Sequence, residues 1–182
     1  AAVNAAVMPL VDTYLDNLEN RLKTHGYDRH LYIMQSSGGM MTASEIRSQP
    51  INIIESGPAA GVVSSYAIGR VLKRENLLSF DMGGTTAKAA LIHEGRIEMS
   101  AEYEVGGTTH GSQGAGGYGT GYPIRGSFMD IVEVGAGGGS IAWIDDAGGL
   151  RVGPKSAGAD PGPVCYSNGG EKPTTTDANL YL

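Results

Sequence analysis

Glycine governs what this chain can fold into. Of its 182 residues 29 are glycine, more than twice the share of about 7% usual in globular proteins. They fall in clusters with no fixed spacing, so collagen-like and solenoid repeats are excluded. The densest clusters are Ser36-Ser37-Gly38-Gly39, Gly83-Gly84, the stretch from Gly106 to Gly121, and Gly135-Ala136-Gly137-Gly138-Gly139-Ser140. Glycine lets backbone turn tightly and lets it approach other backbone or a ligand closely.

Between the clusters the apolar pattern alternates between helical and strand spacing. Val3, Val7, Leu10, Val11, Tyr14, Leu15, Leu18 and Leu22 recur at helical intervals, Gly26 is a natural stop, and Pro9 is a possible kink. Leu31 to Gln35 suits a buried strand, Thr42-Ala43-Ser44-Glu45 reads as a capping box, and Pro50 ends that helix. Ile51 to Ile54 suits another buried strand. Ser56 or Gly57 is expected to cap a helix that carries Pro58 in its first turn and runs to about Lys73. Its early small residues permit close approach of a neighbour. Leu77 to Asp81, Ala87 to His93 and Ile97 to Val105 read as three strands, with Glu94-Gly95 as a hairpin turn. Gly106 to Gly121 reads as a long mobile loop. Ile141–Ile144 and Leu150–Val152 flank a turn at residues 145–149, residues 153–173 form an irregular tail, and Thr176-Asp177 starts a last helix. The pattern is α/β with several antiparallel hairpins.

Composition removes several classes of function. A hydrophobic fraction of 41% and a charged fraction of 18% fit a folded protein. The net charge of −6 provides no basic footprint for nucleic acid. No apolar run approaches the roughly 20 residues that span a bilayer, and no signal-peptide pattern is present. Cys165 stands alone, so no internal disulfide can form and a reducing, cytoplasmic setting is expected. The chain begins inside an apparent helix and stops early in another, and is expected to be an internal piece of a longer protein.

The stretch that carries chemistry is Phe80-Asp81-Met82-Gly83-Gly84-Thr85-Thr86, where a strand runs out into a tight loop. Gly83 and Gly84 allow consecutive N–H groups to face one anion. The Thr85 and Thr86 hydroxyls can add hydrogen bonds to phosphate oxygens. Asp81 can hold magnesium through water, because that ion sheds its hydration shell reluctantly. Lys88 either adds a charge to the loop or turns to solvent. Taken alone, this stretch also reads as a plain Gly-Gly hairpin turn.

Its surroundings favour the functional reading. A small-residue helix opened by Glu55-Ser56-Gly57-Pro58-Ala59-Ala60-Gly61, then a strand, then Asp81-Met82-Gly83-Gly84-Thr85, resembles the actin/hexokinase/heat-shock-chaperone ATPase fold. The helix resembles the connection between two lobes, and the Asp81 loop resembles the second phosphate loop. The closer resemblance spans nearly the whole chain. Met34–Gly39, Ser56–Val62, Ser79–Thr86, Gly135–Ala142, Val152–Pro154, Ser156–Pro163 and Thr176–Leu180 follow in the order of the central domain of the hydantoinase A/5-oxoprolinase family. The resemblance implies residues 1–55 as the end of a first-lobe region, 56–74 as the connecting helix and 75–182 as the start of the second lobe. It implies ATP and Mg2+, with Asp81 as the metal-holding catalytic group. Gly83, Gly84, Thr85, Thr86, Gly137, Gly138, Gly139 and Ser140 are implied to contact the nucleotide. It further implies hydrolysis of a cyclic amide through phosphorylation of its carbonyl oxygen, and a second, larger subunit of the hydantoinase B type.

Thr86-Ala87-Lys88 departs from the Thr-Asp continuation common in hydantoinases and is more similar to ketone carboxylase subunits, which implies a ketone as the alternative substrate. A non-catalytic scaffold of the same fold is a third reading, opposed by the intact Asp81 and glycine loops. Neither a first phosphate loop nor an adenosine-binding Gly-Gly segment is present, so the chain alone is expected neither to turn over nor to bind ATP tightly. Asp160 is either a substrate or metal contact or a turn-former. Cys165 has no partner motif for a nucleophile and reads as packing. His25, His30, His93 and His110 lack metal-ligand spacing, and Trp143 reads as a hydrophobic anchor.

Overall fold

A computed structural model describes residues 2–105 and 121–182; the glycine-rich loop expected from Gly106 lies, up to residue 120, outside the described residues. Helix α1 (Ala2–Thr24) is followed by strand β1 (Tyr32–Met34), β2 (Met40–Thr42), helix α2 (Ala43–Ser48), a 3-10 turn (Pro50–Ile53) and helix α3 (Ser56–Leu72). Strands β3 (Leu77–Met82), β4 (Ala87–His93), β5 (Arg96–Ile97), β6 (Met99–Val105), β7 (Tyr122–Met129), β8 (Ile131–Val134), β9 (Ser140–Ile144) and β10 (Leu150–Ser156) follow. A 3-10 turn (Val164–Tyr166) and helix α4 (Thr175–Tyr181) complete the order. β3, β4 and β5 are neighbours in one sheet, with β8 also on β4, while β1–β2, β6–β7 and β9–β10 form two-stranded antiparallel pairs.

The chain divides into two compact units, residues 1–79 with 90–131, and residues 80–89 with 132–182. The first has apolar cores. Leu15, Ala43 and Ile46 form one, all 3% exposed or less. Ala59 and Val62 of α3 pack with Ala90, Ile92, Met129 and Ile131 in another. Tyr103, Ile124 and Phe128 join β6 to β7 in a third, the two rings 5.4 Å apart. In the second unit the buried residues include Ala87, Gly137, Gly139, Ser140, Gly153 and Thr174. That interior is made of close-packed backbone and small polar side chains, so hydrogen bonds rather than large apolar groups hold it together.

Helix α1 stops as its glycine predicts. Gly26 takes φ 83°, and the N–H groups of Gly26 and Tyr27 donate to the carbonyls of Lys23 and Leu22, the paired bonds of a Schellman ending. Pro9 lies inside a helix that continues past it. The Thr42–Glu45 capping box forms in both directions.

Several expectations need correction. Residues 51–54 are not a strand: Pro50, with φ preset for a helical turn, opens a 3-10 turn closed by Asn52 N–H to Gln49 and Ile54 N–H to Ile51. Neither Ser56 nor Gly57 caps α3. The N-cap is Glu55, at φ 63°, without a side-chain cap bond. On α3, Ala59 is buried and the close approach falls late, at Gly69, where an added Cβ would run into the Leu77 side chain, whereas one at Gly57 or Gly61 would meet open space. The strand expected over 97–105 is two: Arg96–Ile97 pairs with β4, and Met99–Val105 pairs with β7. They part at Glu98, whose carbonyl accepts from Asp130 N–H. Strand β7 was not foreseen, because Pro123 and Gly126 interrupt its apolar alternation. β10 runs past Val152 to Ser156 across a register irregularity, and α4 is capped by Thr174 rather than Thr176.

Candidate nucleotide-binding loop

The expected site residues belong to the second compact unit. β3 carries Asp81 to its end, and residues 83–86 turn into β4. The turn is closed by Gly83 N–H donating to the Thr86 carbonyl at 2.9 Å. Asp81, Gly84 and Thr85 are exposed. Among the described residues, neither the Gly84 nor the Thr85 N–H has a protein acceptor.

What orients these two N–H groups is the second glycine cluster. Gly138 N–H donates to the Gly83 carbonyl at 2.9 Å, and Gly139 N–H donates to the Gly84 carbonyl at 2.6 Å. Carbonyl and amide hydrogen point in opposite directions across a trans peptide. Tying the carbonyls of Gly83 and Gly84 to one side therefore turns the N–H groups of Gly84 and Thr85 together to the other. In an extended strand successive peptides would alternate; here they do not. Two adjacent N–H groups on one side can face one anion.

The glycines make this stacking possible. A Cβ on Gly137 would lie 2.6 Å from the Gly84 carbonyl carbon and oxygen and 2.7 Å from the Thr85 carbonyl carbon. A Cβ on Gly139 would meet the Gly84 oxygen at 2.9 Å and the Ser156 hydroxyl at 2.8 Å. Gly84 differs: its φ lies outside the left-handed region and an added Cβ would meet nothing within 4 Å. Neither backbone conformation nor the surrounding protein demands glycine there, whereas a ligand seated against the loop would.

The expectation of direct nucleotide contact by Gly137, Gly138, Gly139 and Ser140 meets a different employment. Gly137 N–H donates to Ser140 Oγ at 2.9 Å, Gly138 and Gly139 donate to the first loop, and Ser140 N–H donates to the Gly137 carbonyl at 3.0 Å. All four backbone donors are spent within the protein, and Ser140 is 1% exposed. Gly83 is likewise committed through Thr86. These residues form a platform beneath the exposed donors. The sequence signal, a glycine run after a strand, does not distinguish platform from cradle.

Lys88 lies in an ion pair with Glu133 at 3.8 Å, both side chains largely buried. Asp160 is exposed in a turn closed by Gly162 N–H to the Ala157 carbonyl. Asp177 is the most heavily bonded carboxylate of this unit. Its oxygens accept from the N–H groups of Val164, Cys165 and Thr174 and from the Thr174 hydroxyl. Burial favours its protonated form, but these donors outweigh that and hold it well below the usual carboxylate range. The hydrogen bond to Asp177, followed by burial, pushes the Cys165 thiol up, away from the thiolate a nucleophile needs. Trp143 is half-exposed, and its indole N–H donates to the Gly153 carbonyl at 2.8 Å. Among the described residues no group of three or more His, Cys, Asp and Glu is placed to hold a metal ion. No helix among them is long and apolar enough to cross a membrane.

Helices joined to antiparallel sheets, with an Asp-Gly-Gly loop at a strand end, place the chain among α/β proteins of the actin-like ATPase type. It belongs to the hydantoinase/oxoprolinase family, whose model matches residues 1–182. An uncharacterized protein of Methanocaldococcus jannaschii is 50% identical over 180 residues, 99% of this chain and 26% of that protein. The caprolactamase alpha subunit of Pseudomonas jessenii is 36% identical over 99% of this chain and 24% of its own length. The crystal structure of that ATP-dependent caprolactamase superposes with a TM-score of 0.64 at 34% identity, covering 99% of this chain and 24% of that one. A nucleotide-free acetone carboxylase superposes with a TM-score of 0.71 at 26% identity, covering 92% of this chain and 22% of that one. The chain thus spans about a quarter of the length of these relatives.

Proposed function

We propose that this chain is part of an ATP-dependent enzyme that hydrolyses a cyclic amide, and that the Asp81–Thr86 loop grips the nucleotide phosphates. The observation that carries the reading is the adjacent pair of N–H groups on exposed Gly84 and Thr85, without a protein acceptor among the described residues and fixed by the platform; exposed Asp81 precedes them at the end of β3. The hydroxyls of Thr85 and Thr86 complete the donor set, while Gly83 and Gly137–Ser140 act from behind. A lone exposed carboxylate suits magnesium, which keeps several waters and takes phosphate oxygens as further ligands. The bound ion would neutralise charge on the transferring phosphoryl group. Asp81 would hold it, the N–H pair would orient the phosphate, and no covalent chemistry is required of this loop. Phosphorylation of the amide oxygen makes a poorly reactive carbonyl susceptible to water. In this reading residues 1–55 close a first lobe, 56–74 connect, and 75–182 open the second. A larger subunit of the hydantoinase B type completes the enzyme in the cytoplasm.

A ketone carboxylase is the second reading. It is favoured by Thr86-Ala87-Lys88 and by the higher TM-score to acetone carboxylase. The pairing of Lys88 with Glu133 weighs against a role for that lysine at the phosphates.

The test is magnesium-dependent ATP hydrolysis by the full-length protein with its partner subunit. It is run with 5-oxoproline, a hydantoin, or a ketone plus bicarbonate, beside an Asp81→Ala control. Stimulation by a cyclic amide, abolished in the control, is expected. Stimulation by ketone and bicarbonate alone moves the protein to the carboxylases. No stimulation by any of the three, with the Asp81→Ala control unchanged, counts against both enzyme readings and leaves only the fold assignment standing.

A further inference from the structure

We propose that Thr176 is a positioning residue for the Thr85 N–H of the exposed pair, acting through the Gly138–Gly139 peptide; this rests on the reading of the Gly84 and Thr85 N–H groups as a phosphate site. Both the N–H and the hydroxyl of Thr176 donate to the Gly138 carbonyl, each at 2.8 Å. The N–H of the same peptide, on Gly139, donates to the Gly84 carbonyl at 2.6 Å. Two donors on one carbonyl polarise its peptide and strengthen the bond its N–H makes. They also fix the plane of that peptide, and through it the plane of the Gly84–Thr85 peptide, whose own N–H faces away from the platform. Thr176 therefore governs the direction of a donor it never touches.

The surroundings keep Thr176 in place. It sits in the first turn of α4, whose capping box joins Thr174 and Asp177. Asp177 in turn accepts from Val164 and Cys165 N–H, fastening the turn that precedes it. Gly138 fits this arrangement, since a Cβ there would lie 2.7 Å from the Thr176 hydroxyl oxygen. From the other side, the Gly139 carbonyl accepts Ala157 N–H at 2.8 Å. Along the path from Thr176 to the Gly84 carbonyl the hydroxyl of Thr176 is the side-chain group, and substitution can remove it while every backbone bond stays possible.

The experiment measures Mg-ATP affinity and melting temperature of the full-length protein with Thr176→Val, Thr176→Ser and Gly84→Ala. Thr176→Val keeps the shape and loses the hydroxyl, and its affinity is expected to fall about fivefold, the loss of one hydrogen bond worth about 1 kcal/mol. Thr176→Ser is expected to restore binding to near the original. Amide exchange supplies a readout that a purely structural role would not move: saturating nucleotide should protect Gly84 and Thr85 in the original protein, and Thr85 less in the valine variant. If the valine variant does not fold, Thr176→Ala, a better helix former, carries the same comparison. Unchanged affinity and protection in the folded variant, or serine binding as poorly as valine, overturns the role of Thr176. Gly84→Ala separates the two layers. Its loss of affinity beside an unaffected Thr176→Val refutes only the positioning, whereas unaffected binding in Gly84→Ala refutes the phosphate site and the proposal with it.

Discussion

Glycines of one loop pair do opposite work, and single substitutions should separate them. Gly84 meets no protein atom at its missing Cβ and needs no left-handed φ. Gly84→Ala is expected to melt within about 1 kcal/mol of the original, as surface changes do, yet to lose Mg-ATP affinity because the methyl group occupies the ligand's place. Gly137 faces rigid backbone at 2.6 Å. Gly137→Ala must push the Asp81 loop aside, at about 1–3 kcal/mol for an overpacked contact, and is expected to lose both stability and affinity. Thermal melting beside nucleotide titration of the two variants checks this; equal melting with equal binding would show that neither glycine serves the loop. The residue types were legible in the sequence. Their division of labour was not, because it depends on which N–H groups already have acceptors.

Elements followed local chemistry where local chemistry was complete. α1 ended at its glycine and α2 began at its capping box, since both signals act within one turn. Residues 51–54 misled because four apolar residues fit a strand and a helical turn equally, and Pro50 decided between them. β7 was missed because its strand identity comes from pairing with β6 rather than from its own alternation. α4 is anchored from outside itself, and pH exposes that anchorage. Asp177 is depressed in the folded state, so its contribution is fully present above the unfolded carboxylate value of about 3.9 and is lost as pH falls through the folded value. Melting temperature is therefore expected to fall with acidification below about pH 4, and Asp177→Asn should flatten that dependence. Melting curves across the acid range would register it, and an unaltered slope would show that Asp177 carries no such coupling.

At the scale of the whole molecule, the proposed phosphate loop would be one wall of a site. The chain spans about a quarter of its relatives, and it holds a single Asp-Gly-Gly-Thr-type loop. The isolated 182-residue chain is therefore expected to bind Mg-ATP more weakly than the micromolar range and to turn nothing over; calorimetric titration finding micromolar affinity would overturn this. The family, the α/β class, the position of Asp81 and its glycines, and the helix stops were all written in the order of short motifs. Each depends on residues near one another in sequence, where steric limits and hydrogen-bond reach act directly. Tertiary structure decided the rest. It bonded the backbone donors of Gly137–Ser140 to the Asp81 loop and to one another, paired Lys88 with Glu133, and brought Thr176 to the Gly138 carbonyl from 38 residues away. Peptide groups carry their donors and acceptors whatever the side chain, so no residue pattern announces which of them will be spent on one another and which left without a protein acceptor.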